Sequence, residues 1–417
     1  MTTSDTSRTL ARTLFDAAVG AANPELALRR QIAQAAMPHG TGRTVLIAVG
    51  KAAPAMLAEA MTHVRGPLEA LAVTHHENTR DVPDARVMRA GHPVPDQAGF
   101  AAGRAVIDLL DSCTADDQVI ALISGGGSAL LPAPVAGLTL QDKAAVNQVL
   151  LSGGLDIVKM NMVRQQLSEL KGGGFLRHAE PAPVTAYILS DVIGDDLRAI
   201  ASGPTVSPIG TASDAVALLK EHGLWDALPV AARAHLDRNV TPPATPQADN
   251  VLIGSNRQSL AAMQAAADSA GWQARIVSDA LVGDVGDAAR EVLAALKPVD
   301  TPTVLLFGGE TTVRITGTGR GGRNQEMALR VAMEAPAAPS NWTFLSGGTD
   351  GRDGPTDAAG GIVDAGTKVR MAAAGADADA LLANNDSFAA LEAAGDLLLT
   401  EATGTNVADV QALLIWP

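Results

Sequence analysis

Apolar runs of strand length, each followed by a glycine-containing loop and then by a helical pattern, recur along this chain of 417 residues. The clearest runs occupy residues 44–50, 118–124, 185–190 and 303–307. Strands that are apolar throughout and alternate with helices are typical of parallel sheets covered by helices on both faces. The pattern therefore predicts an α/β fold built from three-layer α/β/α domains.

The length of the chain and one break in its pattern indicate two domains. About 150 residues per domain is a common size, so this length suggests two or three units. Residues 237–250 contain three prolines and show no periodicity, and we expect the domain boundary there. The first domain is expected to span residues 1–240 with a mainly parallel, Rossmann-like sheet, and the second residues 250–417. Two helices within residues 6–37 are compatible with packing on either domain.

The second domain is expected to contain a mixed sheet. Its predicted strands include residues 251–253, 303–307 and 312–315. Only residues 308–311 separate the last two strands, whereas a parallel crossover needs a dozen residues or more. The short connection therefore predicts an antiparallel hairpin within an otherwise alternating α/β pattern.

Composition narrows the class of protein and its partners. A hydrophobic content of 47% with 18% charged residues excludes a globally disordered chain. The net charge of −14 argues against nucleic acid or an anionic membrane surface as a partner. The N-terminal residues are polar, and no apolar run reaches the ~18 residues of a membrane span. We therefore expect a cytoplasmic protein, and its single cysteine, Cys113, cannot form an intrachain disulfide.

A glycine loop at residues 317–323 carries two arginines, Arg320 and Arg323, and leads into a helical pattern that begins near Asn324. Glycines let the backbone approach a ligand closely. The free N–H groups of a helix start and the guanidinium groups of arginine both favour an anion such as phosphate. The alternative is a long hairpin or loop with solvated arginines.

Other strand ends also carry polar groups. Lys51 follows the strand at 44–50 and is either a phosphate ligand or a solvated loop residue. Asp350, Asp353 and Asp357 lie within eight residues of a further glycine loop. Such a cluster favours Mg²⁺ or a substrate hydroxyl, and its alternative is a set of Asx-turns.

Seven motifs lie at residues 49–52, 91–96, 123–130, 189–195, 201–205, 317–326 and 347–360. In these motifs and in their order, the chain resembles the class II glycerate 2-kinase family over almost its whole length. The resemblance implies an N-terminal glycerate-kinase domain, a C-terminal MOFRL domain and an active site in the cleft between them. It also implies transfer of the ATP γ-phosphoryl group to O2 of D-glycerate, with a divalent metal such as Mg²⁺. Some relatives are named hydroxypyruvate reductase.

The resemblance implies Lys51, Asp191 and Arg323 as catalytic residues. Lys51 and Arg323 would stabilise the phosphoryl oxygens, and Asp191 would hold Mg²⁺ or accept the hydroxyl proton. Asp350 is the second candidate metal ligand. We expect Arg323 to lie in a hydrated loop with few contacts, so that Arg323→Lys would lower kcat but hardly change thermal stability. The residues assigned to substrate or phosphate binding are Ser124, Gly125, Gly126, Gly127, Ser128, Lys171, Asn256, Glu310 and Arg320.

Two other functions remain open on the sequence. An NAD(P)H-dependent hydroxypyruvate reductase would normally show Gly-x-Gly-x-x-Gly after its first strand, where this chain has Val49-Gly-Lys-Ala-Ala-Pro. A non-enzymatic sugar-acid or phosphate binding protein would not need an aspartate facing the cationic groups. No Walker A motif is present, so an ATP site would have to be built differently. The expected partners are glycerate and a nucleotide, and the alanine-rich helices are compatible with a homodimer.

Overall fold

The computed structural model describes residues 3–238, 243–336 and 341–417. The chain forms two compact units, one made of Ala27–Ile253 and the other of the residues up to Leu26 together with Gly254–Pro417. Within these described ranges, no helix has both the length and the apolar character needed to cross a membrane. The division into domains at residues 1–240 and 250–417 stays a prediction.

The helices are short to medium in length and separate most of the strands. In chain order they are α1 (Thr3–Ala21), α2 (Pro24–Gln34), α3 (Ala53–Met61), α4 (Gln97–Asp111), α5 (Gly127–Leu130), α6 (Leu140–Ser152), α7 (Ile157–Gln166), α8 (Gly174–Ala179), α9 (Ala212–Glu221), α10 (Val230–Asp237), α11 (Asn256–Ser269), α12 (Val285–Ala295), α13 (Arg323–Glu334), α14 (Thr367–Ala373), α15 (Ala378–Ala383) and α16 (Ser387–Ala394). Two short 3₁₀ turns lie at Ile200–Ser202 and Trp225–Ala227.

In the part of the chain that the structure describes, the strands form two six-stranded sheets. They are β1 (Thr44–Val49), β2 (Leu68–His75), β3 (Arg86–Ala90), β4 (Gln118–Ile123), β5 (Val184–Leu189), β6 (Asp249–Gly254), β7 (Gln273–Asp284), β8 (Thr303–Thr312), β9 (Asn341–Gly348), β10 (Ala358–Asp364), β11 (Leu397–Leu399) and β12 (Asp409–Trp416). The sheet orders are β3-β2-β1-β4-β5-β6 and β11-β10-β9-β12-β8-β7.

The first sheet confirms the predicted parallel arrangement. β1 pairs in parallel with both β2 and β4, and further parallel pairs join β2 to β3 and β4 to β5. Every residue of β1, β4 and β5 is buried, which is why these strands are apolar at nearly every position. Val49, at the end of β1, lies opposite Val73 and Ile123, so the loops that follow β1 and β4 begin side by side. One assignment was wrong: residues 251–253 belong to β6, next to β5 in this sheet, and not to the second sheet.

The second sheet is mixed, as predicted, but not for the predicted reason. β7 and β8 are parallel, whereas β8 with β12, β12 with β9, β9 with β10 and β10 with β11 pair antiparallel. The expected hairpin between residues 303–307 and 312–315 does not form, because β8 runs unbroken from Thr303 to Thr312. Gly309 is not a turn residue: a Cβ there would lie 2.1 Å from the carbonyl oxygen of Leu281 in the neighbouring strand.

β12 lies between β8 and β9 in the strand order of this sheet. It pairs antiparallel with both β8 and β9, and its first residue, Asp409, lies opposite Gly309 and Gly348. Helix α1 packs on the same unit, where Leu14 and Phe15 are fully buried beside apolar side chains of α11, β9 and β12. The buried carboxylate of Asp409 therefore lies near the C-terminal ends of β8 and β9.

Candidate active site

The loops that follow β1 and β4 are joined by hydrogen bonds. Gly50 has φ +124°, and a Cβ there would lie 2.2 Å from Oγ of Ser124, so only glycine fits. The N–H of Lys51 donates to the carbonyl of Gly125 (2.9 Å), and the N–H of Ala52 donates to Oγ of Ser124 (3.1 Å). Ser124 is buried, so we expect its hydroxyl to hold the two loops together and not to contact a substrate.

Lys51 lies beside the glycines of the β4 loop. A Cβ on Gly126 would lie 3.4 Å from Cγ of Lys51 and 3.0 Å from Nε2 of His92. Burial, followed by the charge of Lys51, lowers the pKa of His92. Among the described residues, no carboxylate forms an ion pair with the ammonium group of Lys51. The side chain is partly exposed, so its charge is available to an anion.

Asp191 follows β5 and lies against the same loop. A Cβ on Gly125 would lie 2.2 Å from Oδ2 of Asp191, so glycine is required for the carboxylate to approach. Burial raises the pKa of Asp191, although backbone hydrogen bonds and the charge of Lys51 oppose the shift. A carboxylate with a raised pKa is a better proton acceptor near neutral pH than an ordinary one. The structure thus brings Lys51, Gly125, Gly126 and Asp191 together in one unit.

Ser128 follows the glycines of this loop and is partly buried, and the buried Lys171, which lies between α7 and α8, contacts it. Nζ of Lys171 donates to the carbonyl of Ser128 (2.9 Å) and also contacts its hydroxyl. Oγ of Ser128 lies 2.8 Å from Oγ of Ser202. Gly127 packs against Ala201, since a Cβ on it would lie 3.0 Å from the Ala201 methyl group. The polar side chains of Lys171 and Ser202 therefore hold the end of this loop in place.

Arg323 is held by two carboxylates in the second unit. Its Nε and Nη2 donate to Oδ2 and Oδ1 of Asp409 (2.6 and 3.1 Å), and its Nη1 lies 3.0 Å from Oε1 of Glu310. Burial lowers the pKa of Arg323, but the hydrogen bonds that Arg323 donates to Asp409 outweigh this effect and raise it. The expectation of a hydrated arginine with few contacts is wrong, because Asp409 is buried. Two of the five N–H donors of the guanidinium are hydrogen-bonded to Asp409, which leaves donors for a ligand.

The start of helix α13 is occupied by a carboxylate of the chain itself. The N–H groups of Asn324 and Gln325 donate to Oδ1 and Oδ2 of Asp353 (3.1 and 2.8 Å). Burial raises the pKa of Asp353 to about 6, against the effect of these hydrogen bonds. The expectation that the N–H groups of this helix start bind phosphate is therefore wrong. Asp353 is a helix cap.

The glycine loop at residues 317–322 packs against the protein. The N–H groups of Gly317 and Thr318 donate to the side chains of Asn385 (2.9 Å) and Asn384 (3.0 Å). A Cβ on Gly317 would lie 2.3 Å from the carbonyl oxygen of Asn384. Two of the glycines that were expected to admit a ligand, Gly317 and Gly319, thus make room for residues 384–386. On its other side the loop borders a cleft of about 400 Å³ that is also lined by Arg323.

Arg320 differs from Arg323 in its surroundings. Its guanidinium lies over the ring of Phe388, 4.1 Å from the centroid, and about half of the side chain is exposed. Its nearest carboxylate partner is Asp357, at 3.6 Å on the surface. Arg320 is therefore a solvent-facing cation stacked on an aromatic ring.

The candidate metal ligands are the carboxylates of Asp191 and Asp350. Oδ1 of Asp350 accepts a hydrogen bond from the N–H of Arg352 (3.0 Å), which is an Asx-turn. A Cβ on Gly348 would lie 3.3 Å from Asp350 and 3.5 Å from Asp409. Across the ranges that the structure describes, no group of three or more His, Cys, Asp or Glu side chains is placed to hold a metal. Mg²⁺ usually takes one or two carboxylates together with substrate phosphates and water, so a single aspartate such as Asp191 or Asp350 is a ligand of the right type.

Asn256 has a structural contact that the sequence pattern did not predict, and Asp409 is a residue that the sequence analysis missed. The amide of Asn256 donates to the carbonyls of Val407 and Asp409 (2.9 and 2.8 Å), and a Cβ on Gly308 would lie 2.0 Å from its Oδ1. We therefore assign Asn256 to the support of β12. Asp409 was missed because the predicted strand began at residue 413, although an aspartate directly before an apolar strand was visible.

The chain matches two family descriptions and several known proteins. Residues 10–237 match "Domain of unknown function (DUF4147)", and residues 303–409 match the MOFRL family. The chain is 39% identical to a D-glycerate 2-kinase of Thermotoga maritima, with 88% of this chain and 89% of that protein covered. It is 36% identical to a glycerate 2-kinase of Pyrococcus horikoshii, with 90% and 88% covered.

The chain is also similar to a third relative and to a solved structure. An Agrobacterium vitis protein with a provisional hydroxypyruvate reductase name is 41% identical over all of this chain and 96% of its own. The crystal structure of a glycerate kinase from Thermotoga maritima superposes with a TM-score of 0.92 at 35% identity, covering 99% of this chain and all of that one. The two α/β units and their loops are those of a small-molecule kinase. The chain belongs to the class II glycerate kinase family.

Proposed function

We propose that this chain is a glycerate 2-kinase, an ATP-dependent small-molecule kinase that phosphorylates O2 of D-glycerate. The observation that carries the proposal is the group at the ends of β1, β4 and β5. There an ammonium group without a carboxylate partner among the described residues, Lys51, lies beside a glycine loop that also contacts Asp191. The names of the Thermotoga and Pyrococcus relatives support the choice of acceptor.

Phosphoryl transfer mainly requires positioning and charge stabilisation, and each residue has a part in it. Lys51 would stabilise the oxygens of the transferred phosphoryl group. Asp191, with its raised pKa, would accept the proton of the glycerate hydroxyl. Arg323 would donate to phosphate from N–H groups that are not bonded to Asp409, while Asp409 and Glu310 fix the plane of its guanidinium.

Mg²⁺ would be held by Asp191 or Asp350 together with the phosphates of ATP. When bound, it would neutralise charge on the phosphate oxygens. Which of the two aspartates has this part is a separate proposal, because Asp191 also fits the base. The location of the site between the two domains stays a prediction.

The test is a pair of assays on the purified protein. ADP release should require both D-glycerate and Mg²⁺. Adding enolase without a phosphoglycerate mutase should then yield phosphoenolpyruvate, which forms from the 2-phosphate and not from the 3-phosphate. No ADP release, combined with NADH oxidation by hydroxypyruvate, would instead establish the reductase.

Two finer assignments accompany the kinase. We place the enzyme in the cytoplasm, where ATP is available, with the nucleotide and glycerate as its partners. A homodimer remains compatible with the alanine-rich helices, and light scattering on the purified protein would measure the oligomeric state directly.

A further inference from the structure

Three cationic side chains lie together in the unit Ala27–Ile253, and one of them contacts Ser128 in the segment that follows β4. They are Lys143 on α6, Arg164 on α7 and Lys171 between α7 and α8. Lys143 and Lys171 are only 6% and 4% exposed, and Arg164 is partly exposed. Burial, followed by the charges of Lys143 and Arg164, lowers the pKa of Lys171 well below its ordinary value. Asn147 lies one turn after Lys143 on α6 and accepts a hydrogen bond from Arg164, so Lys143 and Arg164 are neighbours across the two helices.

The protein partners of these cations are neutral. Lys171 donates to the carbonyl of Ser128, and Nε of Arg164 donates to Oδ1 of Asn147 (2.9 Å). Nζ of Lys143 is buried and has no hydrogen-bond partner among the described residues. Within the same described ranges, no carboxylate pairs with any of the three. Buried charges are normally paired, because taking them out of water is costly.

The hydroxyl groups next to the cluster are held in place by an unusual backbone. Ala201 and Ser202 have φ values of 49° and 63°, a region that residues with a Cβ rarely adopt. Oγ of Ser202 donates to Oδ1 of Asn161 (3.0 Å) and lies within hydrogen-bond distance of Ser128. This backbone thus places a hydroxyl group at the cationic cluster.

We infer that Lys143, Arg164 and Lys171 form a binding site for a small oxyanion carried by one of the substrates. Phosphate of the nucleotide and the carboxylate of the acceptor share the required chemistry. The choice of ATP and glycerate as the ligands rests on the proposed kinase function. That the ligand is an oxyanion rests only on the three cations. Ser128 connects the cluster to the loop that contacts Lys51 and Asp191, so the bound anion would belong to the same substrate-binding region.

The best test is Lys143→Met, which keeps the length of the side chain and removes its charge. Removing an unpaired buried charge should raise the Tm of the free protein, whereas loss of a merely structural lysine should lower it. The same change should weaken binding of the responsible ligand at least tenfold. Lys220→Met, at an exposed lysine over Trp225, is the matched control and should change neither.

Calorimetric titrations with ATP, pyrophosphate, inorganic phosphate and D-glycerate separate the two sources. A loss confined to the phosphate-containing ligands assigns the site to the nucleotide, and a loss confined to D-glycerate assigns it to the acceptor carboxylate. If Lys143→Met fails to fold, Arg164→Gln, at the more exposed position, should show the same loss. Unchanged affinity for all four ligands in a folded variant would overturn the inference.

Proton linkage gives a readout that is independent of turnover. Burial lowers the pKa of Lys143 to about 8, with Arg164 adding to the effect. The charges that interact with Lys143 are those of Arg164 on α7 and of Lys171 between α7 and α8. An anion favours the protonated amines, so binding at pH 8 should take up protons from the buffer. This uptake should shrink in Lys143→Met.

The kinase proposal and this inference fail in different ways. A wild-type protein that phosphorylates D-glycerate, with variants that bind every ligand normally, would remove only the oxyanion site. A wild-type protein without kinase activity, whose phosphate binding is nevertheless lost in Lys143→Met, would remove only the kinase assignment.

Discussion

The pairing of Arg323 with Asp409 predicts that Arg323→Lys affects both stability and catalysis. Lysine keeps the charge but cannot reproduce the two-point contact with the buried carboxylate. Leaving a buried acceptor without one hydrogen bond costs about 1–3 kcal/mol. Since about a third of the Arg323 side chain is exposed, we take the lower part of this range. At about 2–4 °C of Tm per kcal/mol, the unit should melt about 2–6 °C lower.

The effect on catalysis should be larger than this loss of stability. One missing preorganised donor typically lowers kcat about 100-fold or more. Because the contact would strengthen as charge develops in the transition state, kcat should fall more than the apparent affinity for ATP. Calorimetric melting and the ADP-release assay, both run well below Tm, measure the two effects separately.

Arg320→Lys is the matched control for the melting experiment. Arg320 lies in the same glycine loop but faces solvent over Phe388, so its replacement should shift Tm by less than that of Arg323. Equal Tm values for wild type and Arg323→Lys would show that the Asp409 pair does not stabilise the unit. Full turnover in the folded Arg323→Lys variant would show that Arg323 has no part in the reaction.

Three further predictions concern the remaining loops. Asp191→Asn should lower kcat about 10²–10⁴-fold with little loss of Tm, since burial already disfavours the charge of Asp191; steady-state kinetics and melting check this. Gly125→Ala should lower activity by displacing Asp191, because its Cβ would lie 2.2 Å from Oδ2. The pKa of Asp353 is raised to about 6 in the folded state, so its contribution to stability is present below the unfolded value near 3.8 and is lost as pH rises through 6. Asp353→Asn should therefore lack the stability that wild type gains on acidification across this window, as measured by urea unfolding.

The parallel sheet could be predicted because its central strands are buried on both faces. β1 and β4 are apolar at nearly every position, and the glycine loops after them are required where strand ends come together. β3 was missed because its five residues include two arginines and give no apolar run. β10 was missed because Gly360 and Gly361 resemble loop residues, although a Cβ on Gly360 would lie 1.9 Å from the carbonyl oxygen of Ser346.

The contacts around Arg323 could not be predicted from spacing. Asp409 is 86 residues away from it in the chain, and Asp353 is 29 residues from Asn324, whose N–H it accepts. A glycine-rich segment before a helix has the same sequence pattern whether it surrounds a ligand or packs on the protein. Residues 353, 384–386 and 409 contact the loop and the start of α13, so the loop packs on the protein. None of these residues is adjacent in sequence to the loop.

The position of β12 in the middle of its sheet has a consequence for synthesis on the ribosome. β8 and β9 do not pair with each other; each pairs with β12, whose residues Asp409–Trp416 are translated more than 60 residues after β9. Helix α1, made near the start, packs on this same unit. Until β12 has emerged, β8 and β9 have unpaired edges, which are prone to join other chains. Nascent chains stalled before residue 409 should therefore leave this unit unfolded and dependent on chaperones.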